Sequence, residues 1–311
     1  MIQTEQRTVK SSGLQKTLKQ LKTDRVLYLM IAPTFLYFFI FRVWPIINMR
    51  LAFYKYKAIG PWEWVGLKYF MTVFSSTAFS NILTNTLIIS FMKYVLLFPF
   101  VVCFAILLNE LRNRYVSKYV QIVTYLPHFL SWVVIAGIWI SLMSPSGGAV
   151  NELLRIFNLP SVDFMTNKDT IRWVLFYSEA WRSIGWDSIV YIVAILGINP
   201  SLYEAAEVDG ANRLQIIWNV IIPALVAPMV MMFILNLGFF LNAGFDQVFN
   251  FTNDSVNSAI DILDTYIYRL GLINAQYSIA TVVGLVKGVV GCILVYITHI
   301  TAKKFTGKGV W

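Results

Sequence analysis

Residues 82–108 read ILTNTLIISFMKYVLLFPFVVCFAILL, a nearly unbroken apolar run carrying a single charge, Lys93. An α-helix rises 1.5 Å per residue and needs roughly 20 mostly apolar residues to cross a hydrocarbon core. This run is long enough to cross with some tilt. Five further runs of the same kind occupy residues 27–47, 120–143, 173–198, 224–245 and 277–300. Pro33, Pro99 and Pro228 fall within or near these runs, positions that membrane helices accept more readily than soluble ones.

Composition points the same way. The chain is 58% hydrophobic and only 13% charged, with mean hydropathy +0.65, whereas soluble domains carry about 25% charged residues. A water-soluble monomer this apolar would expose patches that such proteins avoid. The expected fold is therefore an all-α membrane protein with six transmembrane helices. Its parts are a polar N-terminal tail (1–26), a six-span domain (27–300) and a short C-terminal tail (301–311). The first run has no signal-peptide cleavage pattern and is expected to stay attached as span one. Residues 151–157 are expected to form a short surface helix. Cys103 and Cys292 lie in apolar runs and read as small buried side chains with no disulfide between them.

The net charge is +9, but the excess lies near membrane ends rather than in a stripe with stacking aromatics, so membrane lipid fits and nucleic acid does not. Arg7, Lys10, Lys16, Lys19, Lys22 and Arg25 precede span one. Arg112, Arg114 and Lys118 follow span two, and Lys303, Lys304 and Lys308 follow span six. These three regions fall on one side, which the positive-inside rule makes cytoplasmic. Arg50, Lys55 and Lys57 run against the rule. Both termini are thus expected in the cytoplasm, with the chain in a plasma (inner) membrane.

Between spans four and five lies NPSLYEAAEVDGANRLQIIWNVIIP, residues 199–223. Ser201 and Glu204 have the spacing of a capping box that starts a short helix. Gly210 permits a sharp turn, Asp209 can cap a second helix through Trp218, and Pro223 suits the first turn of span five. On shape alone this is two short helices joined by a bend, and a plain interfacial linker is the favoured reading.

The residues themselves say more. Glu204-Ala205-Ala206, Gly210, and Val220 with Ile222-Pro223 resemble the Glu-Ala-Ala signature of binding-protein-dependent ABC importer permeases. Val220 and Ile222 are conservative departures from it. Tyr203 and Asp209-Gly210-Ala211 resemble the carbohydrate-uptake branch. So do Leu126-Pro127-His128-Phe129 with Trp132, Gly185-Trp186, Gly244-Phe245-Asp246-Gln247, Asp264-Thr265-Tyr266 and Tyr268-Arg269 with Gly271. The resemblance implies a permease subunit with a cytoplasmic coupling-helix loop between spans four and five. Glu204, Ala205, Ala206, Asp209 and Gly210 would then meet an ABC ATPase dimer. It further implies a second homologous permease, an extracellular solute-binding protein and an oligosaccharide substrate. The sequence has no Gly-x-x-x-x-Gly-Lys-Ser/Thr phosphate loop, and Gly307-Lys308-Gly309 lacks its upstream Gly and hydroxyl residue. The chain is accordingly expected to be no enzyme and to bind no cofactor, with ATP and Mg²⁺ on the partner ATPase.

Sugar sites stack rings on aromatics and satisfy hydroxyls with polar side chains, and polar residues within spans default to functional hypotheses. Glu179, Trp181, Ser183 and Trp186 of span four, with Asn236, Phe239 and Phe240 of span five, are the candidate substrate contacts. Arg182, Asp187, Tyr191 and Asn242 lie beside them. Each has a structural alternative: Trp181, Trp186 and Tyr191 as interfacial aromatics, Glu179 with Arg182 as an ion pair along one helix, Asn236 as a bond to a neighbouring helix. His128 and His299 lack companions with metal-ligand spacing. Lys93 and Lys287, inside spans, have no assigned role. An ABC permease for a non-sugar solute remains an alternative, as does an ion-coupled secondary transporter, which would need paired intramembrane carboxylates.

Overall fold

The computed structural model describes residues 23–306. The chain divides into two compact units, the first ending at Leu51 and the second beginning at Ala52. The first carries most of the helical run Arg25–Phe53, and none of its side chains from Arg25 to Asn48 is buried within the protein.

The second unit holds the remaining apolar segments. Span two is Thr77–Glu110 and span five is Arg213–Gly238, while span six is Tyr277–Thr306. Span four is the helix Ile171–Leu196. Its charged residues, rather than its length, make it less apolar than the others. Span three is a bent pair, Arg114–Phe129 and Trp132–Leu142, turned by 109°. The sequence suggested one straight helix over 120–143. Pro127 tightens the chain into a 3₁₀ turn there, and the Ser131 hydroxyl accepts from the Val134 amide to start a new helix.

Three helices widen into π-turns just before a proline: Phe39–Val43 before Pro45, Met92–Leu96 before Pro99, and Ile217–Ile221 before Pro223. Proline has no N–H to return to the preceding turn, and a wider turn absorbs that lost bond without ending the helix. Span five consequently runs straight through Pro223. It starts at Arg213 and stops at Gly238, eleven and seven residues before the expected limits of 224 and 245. The short helix expected over 151–157 is Ala149–Ile156. Cys103 and Cys292 are free thiols on exposed faces. They lie on apolar surface that protein does not cover, which corrects their reading as buried side chains.

Between spans five and six the chain folds back among the helices as short pieces: Phe245–Phe251, Asn257–Ile260 and Leu263–Tyr268. Such broken backbone must find partners within the protein. Polar side chains from the spans supply them. Asn85 Nδ2 donates to the carbonyls of Ser258 (3.0 Å) and Asp261 (3.2 Å). Arg172 donates to the Ala259 carbonyl (3.0 Å) and to Asn85 Oδ1 (2.7 Å). The Thr86 hydroxyl accepts from the Leu263 amide at 3.0 Å. Gln247, fully buried, donates to the Leu175 carbonyl (2.7 Å) and the Ser178 hydroxyl (2.8 Å). Ile89, Ile171, Leu175, Val248 and Ile260 close an apolar core around these bonds.

Lys287 also finds its place here. It pairs with Asp264 at 2.5 Å, as Arg269 does with Asp261. A two-residue ribbon, Tyr54–Lys55 against Glu63–Trp64, is pinned to the start of span six through the Ser278 hydroxyl.

Asn85→Leu removes the amide that holds the Ser258 and Asp261 carbonyls and accepts from Arg172, and so strands buried polar groups. A loss of about 2–3 kcal/mol is expected, read as a lower unfolding temperature of the detergent-purified protein and faster proteolysis within 245–276. Unchanged stability and cleavage would contradict the role given to this bond network.

Candidate functional site

Spans two, four and five, with Trp132 of span three and the turn after span five, surround a cavity of about 360 Å³. Span four supplies Glu179, Arg182, Ser183, Trp186, Asp187 and Tyr191. Span two adds Lys93, Tyr94 and Phe98; span five contributes Met232 and Asn236; the turn brings Asn242 and Gly244. Glu179, Arg182, Ser183 and Trp186 share one helical face, since residues three and four apart are neighbours on a helix.

Of the expected substrate contacts, Glu179, Ser183, Trp186 and Asn236 line this cavity. Trp181, Phe239 and Phe240 do not. Trp181 points to Trp139, with ring centroids 6.4 Å apart. Phe240 lies against Tyr94 at 6.2 Å, and Phe239 is exposed. Phe239 and Phe240 fall in the turn after Gly238, where the helical register used to place them no longer holds. Lys93 and Tyr94 were missed as wall residues. Lys93 was visible only as an unexplained charge within a span.

The electrostatics are paired. Lys93 Nζ lies 3.3 Å from Glu179 Oε2, and Glu179 Oε1 accepts from the Ser183 hydroxyl at 2.7 Å. Glu179 therefore bonds across to span two, not along its own helix to Arg182. Arg182 instead donates to the His128 carbonyl (3.3 Å) and sits over the Trp132 ring at 5.0 Å, a cation–π arrangement. Trp186 stacks on His128 with centroids 4.4 Å apart and planes 6° from parallel. Asp187 faces the cavity with no direct ion pair among the described residues. A free carboxylate, two asparagine amides and a fixed indole edge suit a ligand rich in hydroxyls.

The second candidate region is the loop between spans four and five. Its helix runs Pro200–Val208, and its cap is Asn199, whose side chain accepts from the Ser201 amide at 3.1 Å. The expected Ser201–Glu204 box does not form, because Pro200 already fills the first helical position and Asn199 precedes it. The helix ends in a Schellman motif. The Ala211 amide donates to the Ala206 carbonyl (2.9 Å) and the Gly210 amide to that of Glu207 (3.1 Å). Gly210 has φ +76°, a left-handed turn that a β-branched residue resists. Asp209 closes this helix rather than opening the next, and Asn212 with Gln215 forms the capping box that starts span five.

Glu204, Ala205, Asp209 and Gly210 are exposed and Ala206 is half-buried. Leu202, Val208, Leu214 and Trp218 add exposed apolar surface, Val208 at 88% and Trp218 at 66%. Ala206, Asp209 and Gly210 border a hollow of about 300 Å³ with Gln215 and Asn219. Glu110, at the end of span two, pairs with Arg213 at 3.8 Å. Partial burial and the Glu110 carboxylate push the Tyr203 phenol up from its ordinary pKa.

Residues 101–304 match the family described as binding-protein-dependent transport system inner membrane component. The chain is 37% identical over 305 residues to the Bacillus subtilis polygalacturonan/rhamnogalacturonan transport system permease protein YteP, covering 97% of this chain and 95% of that one. It is 36% identical over 294 residues to Protein LplB of the same organism, covering 94% and 92%. Among solved structures, a bacterial ABC transporter that imports the acidic polysaccharide alginate contains a chain similar at TM-score 0.87 and 36% identity, over 94% of this chain and 99% of that one. A second structure of an alginate ABC transporter, in complex with a periplasmic protein bound to alginate pentasaccharide, matches at TM-score 0.87 and 37% identity, again covering 94% and 99%.

Solute uptake should track the cavity wall. Asp187→Asn replaces a charged acceptor by a neutral amide and Asn236→Ala removes a hydrogen-bonding group; each should lower uptake about tenfold at limiting solute, on the order of 1.4 kcal/mol. Trp181→Ala and Phe239→Ala, whose rings lie elsewhere, should stay within about twofold. The reverse ranking in a transport assay would place the pathway outside this cavity.

Proposed function

This chain belongs to the binding-protein-dependent transport system inner membrane components, and on that premise we propose how it works as the permease subunit of an ATP-driven oligosaccharide importer. With a second homologous permease it encloses a translocation pathway, of which the polar cavity of spans two, four and five is this chain's share. An extracellular binding protein delivers the sugar. A separate ATPase dimer binds ATP and Mg²⁺ and supplies the energy. The tail before span one, the end of span six and the loop 199–212 face the cytoplasm, following the distribution of Lys and Arg.

One observation carries the energy coupling: the capped loop helix with its uncovered apolar side chains. Soluble-facing Leu202, Val208, Leu214 and Trp218 form the kind of surface that marks a protein interface. The loop has firm ends on both sides, with Asn199 and the Gly210 turn closing one helix and Asn212 opening the next. A helix so terminated moves as a unit, and the next unit is span five. A push on Glu204, Ala205 or Ala206 therefore has a stiff route into the cavity wall at Asn236.

The substrate class follows from the site together with the relatives. Hydroxyl-binding groups and Trp186 suit a sugar. Two similar proteins are described by acidic chains, polygalacturonan and alginate, so oligouronates are the first substrates to test.

Gly210→Val forces a β-branched residue into a left-handed turn, at a cost of about 1–2 kcal/mol, and should uncouple the loop while leaving the spans in place. In proteoliposomes containing the whole complex, ATP-driven oligosaccharide uptake should fall at least about tenfold, and assembly with the ATPase should weaken. Wild-type uptake by this variant would remove the loop from the coupling route.

A further inference from the structure

Lys93 is a nearly buried ammonium in the wall of the cavity, 8% exposed. It sits in the π-turn Met92–Leu96 of span two, and such turns often mark functional positions. Its Nζ lies 3.3 Å from Glu179 Oε2 on span four and donates to the Ala243 carbonyl at 2.5 Å. The adjacent Tyr94 hydroxyl donates to the Asn242 carbonyl at 3.0 Å. Two consecutive residues of span two thus hold the non-helical turn that follows span five.

That turn is shaped around the ammonium. Gly244 has φ +91°, and a Cβ built there would lie 2.5 Å from Lys93 Nζ. The left-handed φ favours glycine there, and a side chain would displace the ammonium from its present position. An ammonium carries three protons; Glu179 and Ala243 account for two among the described residues. Since Lys93 lines the cavity, the third is available to whatever fills it.

The turn also has a mechanical connection. Span five is one continuous helix of 26 residues, from the capping box at Asn212 to Gly238, or about 39 Å long at 1.5 Å per residue. One end follows the exposed Gly210 loop, and the other is tied to Lys93 through the turn. A staple without further role could be built from Tyr94 alone or from an uncharged amide. Placing a charge there, shared with a cavity carboxylate, makes the tie responsive to a ligand.

We propose that Lys93 both contacts the transported sugar and reports its presence to span five. A hydroxyl or carboxylate oxygen of the sugar accepts the third proton and draws the ammonium toward the cavity. The bond to the Ala243 carbonyl lengthens, and the turn at the end of span five loosens. Empty, the cavity holds that end of the helix fixed; occupied, it frees the helix to follow the coupling loop. This inference rests on the importer reading and adds to it a residue that senses the substrate.

The test uses the whole complex in lipid nanodiscs or proteoliposomes, with binding protein loaded with alginate pentasaccharide or trigalacturonate, whichever the wild type imports. Amide hydrogen exchange across residues 239–250 should rise about threefold when sugar enters the wild-type complex. In Lys93→Met it should already be fast without sugar and should not respond. The ATP hydrolysed per sugar imported should rise about tenfold in that variant, and Lys93→Arg should restore part of both responses.

Three results would overturn the proposal. One is a wild-type segment whose exchange ignores the sugar. Another is a Lys93→Met segment that keeps wild-type protection and response. The third is a parallel loss of uptake and ATP hydrolysis, with the ratio unchanged, as expected of a plain structural staple. A wild-type complex that imports neither sugar under ATP would instead strike at the importer reading, a different result with a different reading of the chain.

Discussion

Backbone that leaves the helix inside a membrane protein has no water to turn to, so its amides and carbonyls must be met by side chains. In this chain that constraint falls on the stretch from Phe239 to Gln276, which folds back among the spans instead of passing straight into span six. Asn85, Thr86, Lys93, Arg172 and Ser178 all reach into it from neighbouring helices. These residues interrupt otherwise apolar runs, and each would be costly if unpaired. Here they find defined partners, and the folded-back stretch in turn fixes one side of the cavity. Stability and site geometry are therefore two results of one bonding scheme.

The same scheme separates the roles of the charges within spans. Lys287 with Asp264 and Arg269 with Asp261 bind the returning segment to itself and to span six. Lys93 with Glu179 differs because the pair lines open space. Arg182 holds the His128 carbonyl and the face of Trp132, and Glu179 is taken by Lys93 and Ser183, which leaves Asp187 as the carboxylate most open to a ligand. The cavity thus holds two carboxylates in different settings, one paired and one open. Its polar groups are few and held at fixed points by paired neighbours.

Much of this was legible in the sequence, and the exceptions share a cause. Runs of apolar residues located the membrane helices because length and hydropathy are local properties. The Gly210 turn was legible for the same reason. Bends were harder: Pro127 with Ser131 breaks span three, while Pro223, an equally strong local signal, is absorbed by a π-turn and breaks nothing. Which outcome follows depends on how the next few backbone groups are satisfied, and composition does not show that. Cap assignment at Ser201 and Asp209 failed where Asn199 and Asn212, two and three residues away, capped the helices instead. Glu179, Ser183, Trp186 and Asn236 line the cavity, all on helices whose register is unbroken. Phe239 and Phe240 were lost where the helix ends, and Lys93 was overlooked because its partners are about 86 and 150 residues away in the chain.

The central claim is that this chain works only as one subunit of an ATP-driven assembly. The most direct test is to purify the tagged chain from its native membrane in mild detergent and identify everything retained by mass spectrometry. The account predicts an ABC ATPase and a second permease of the same family in stoichiometric amounts, with the ATPase contact crosslinking to residues 200–212. Recovery of the chain alone, even after gentle crosslinking, would contradict it and favour the ion-coupled alternative.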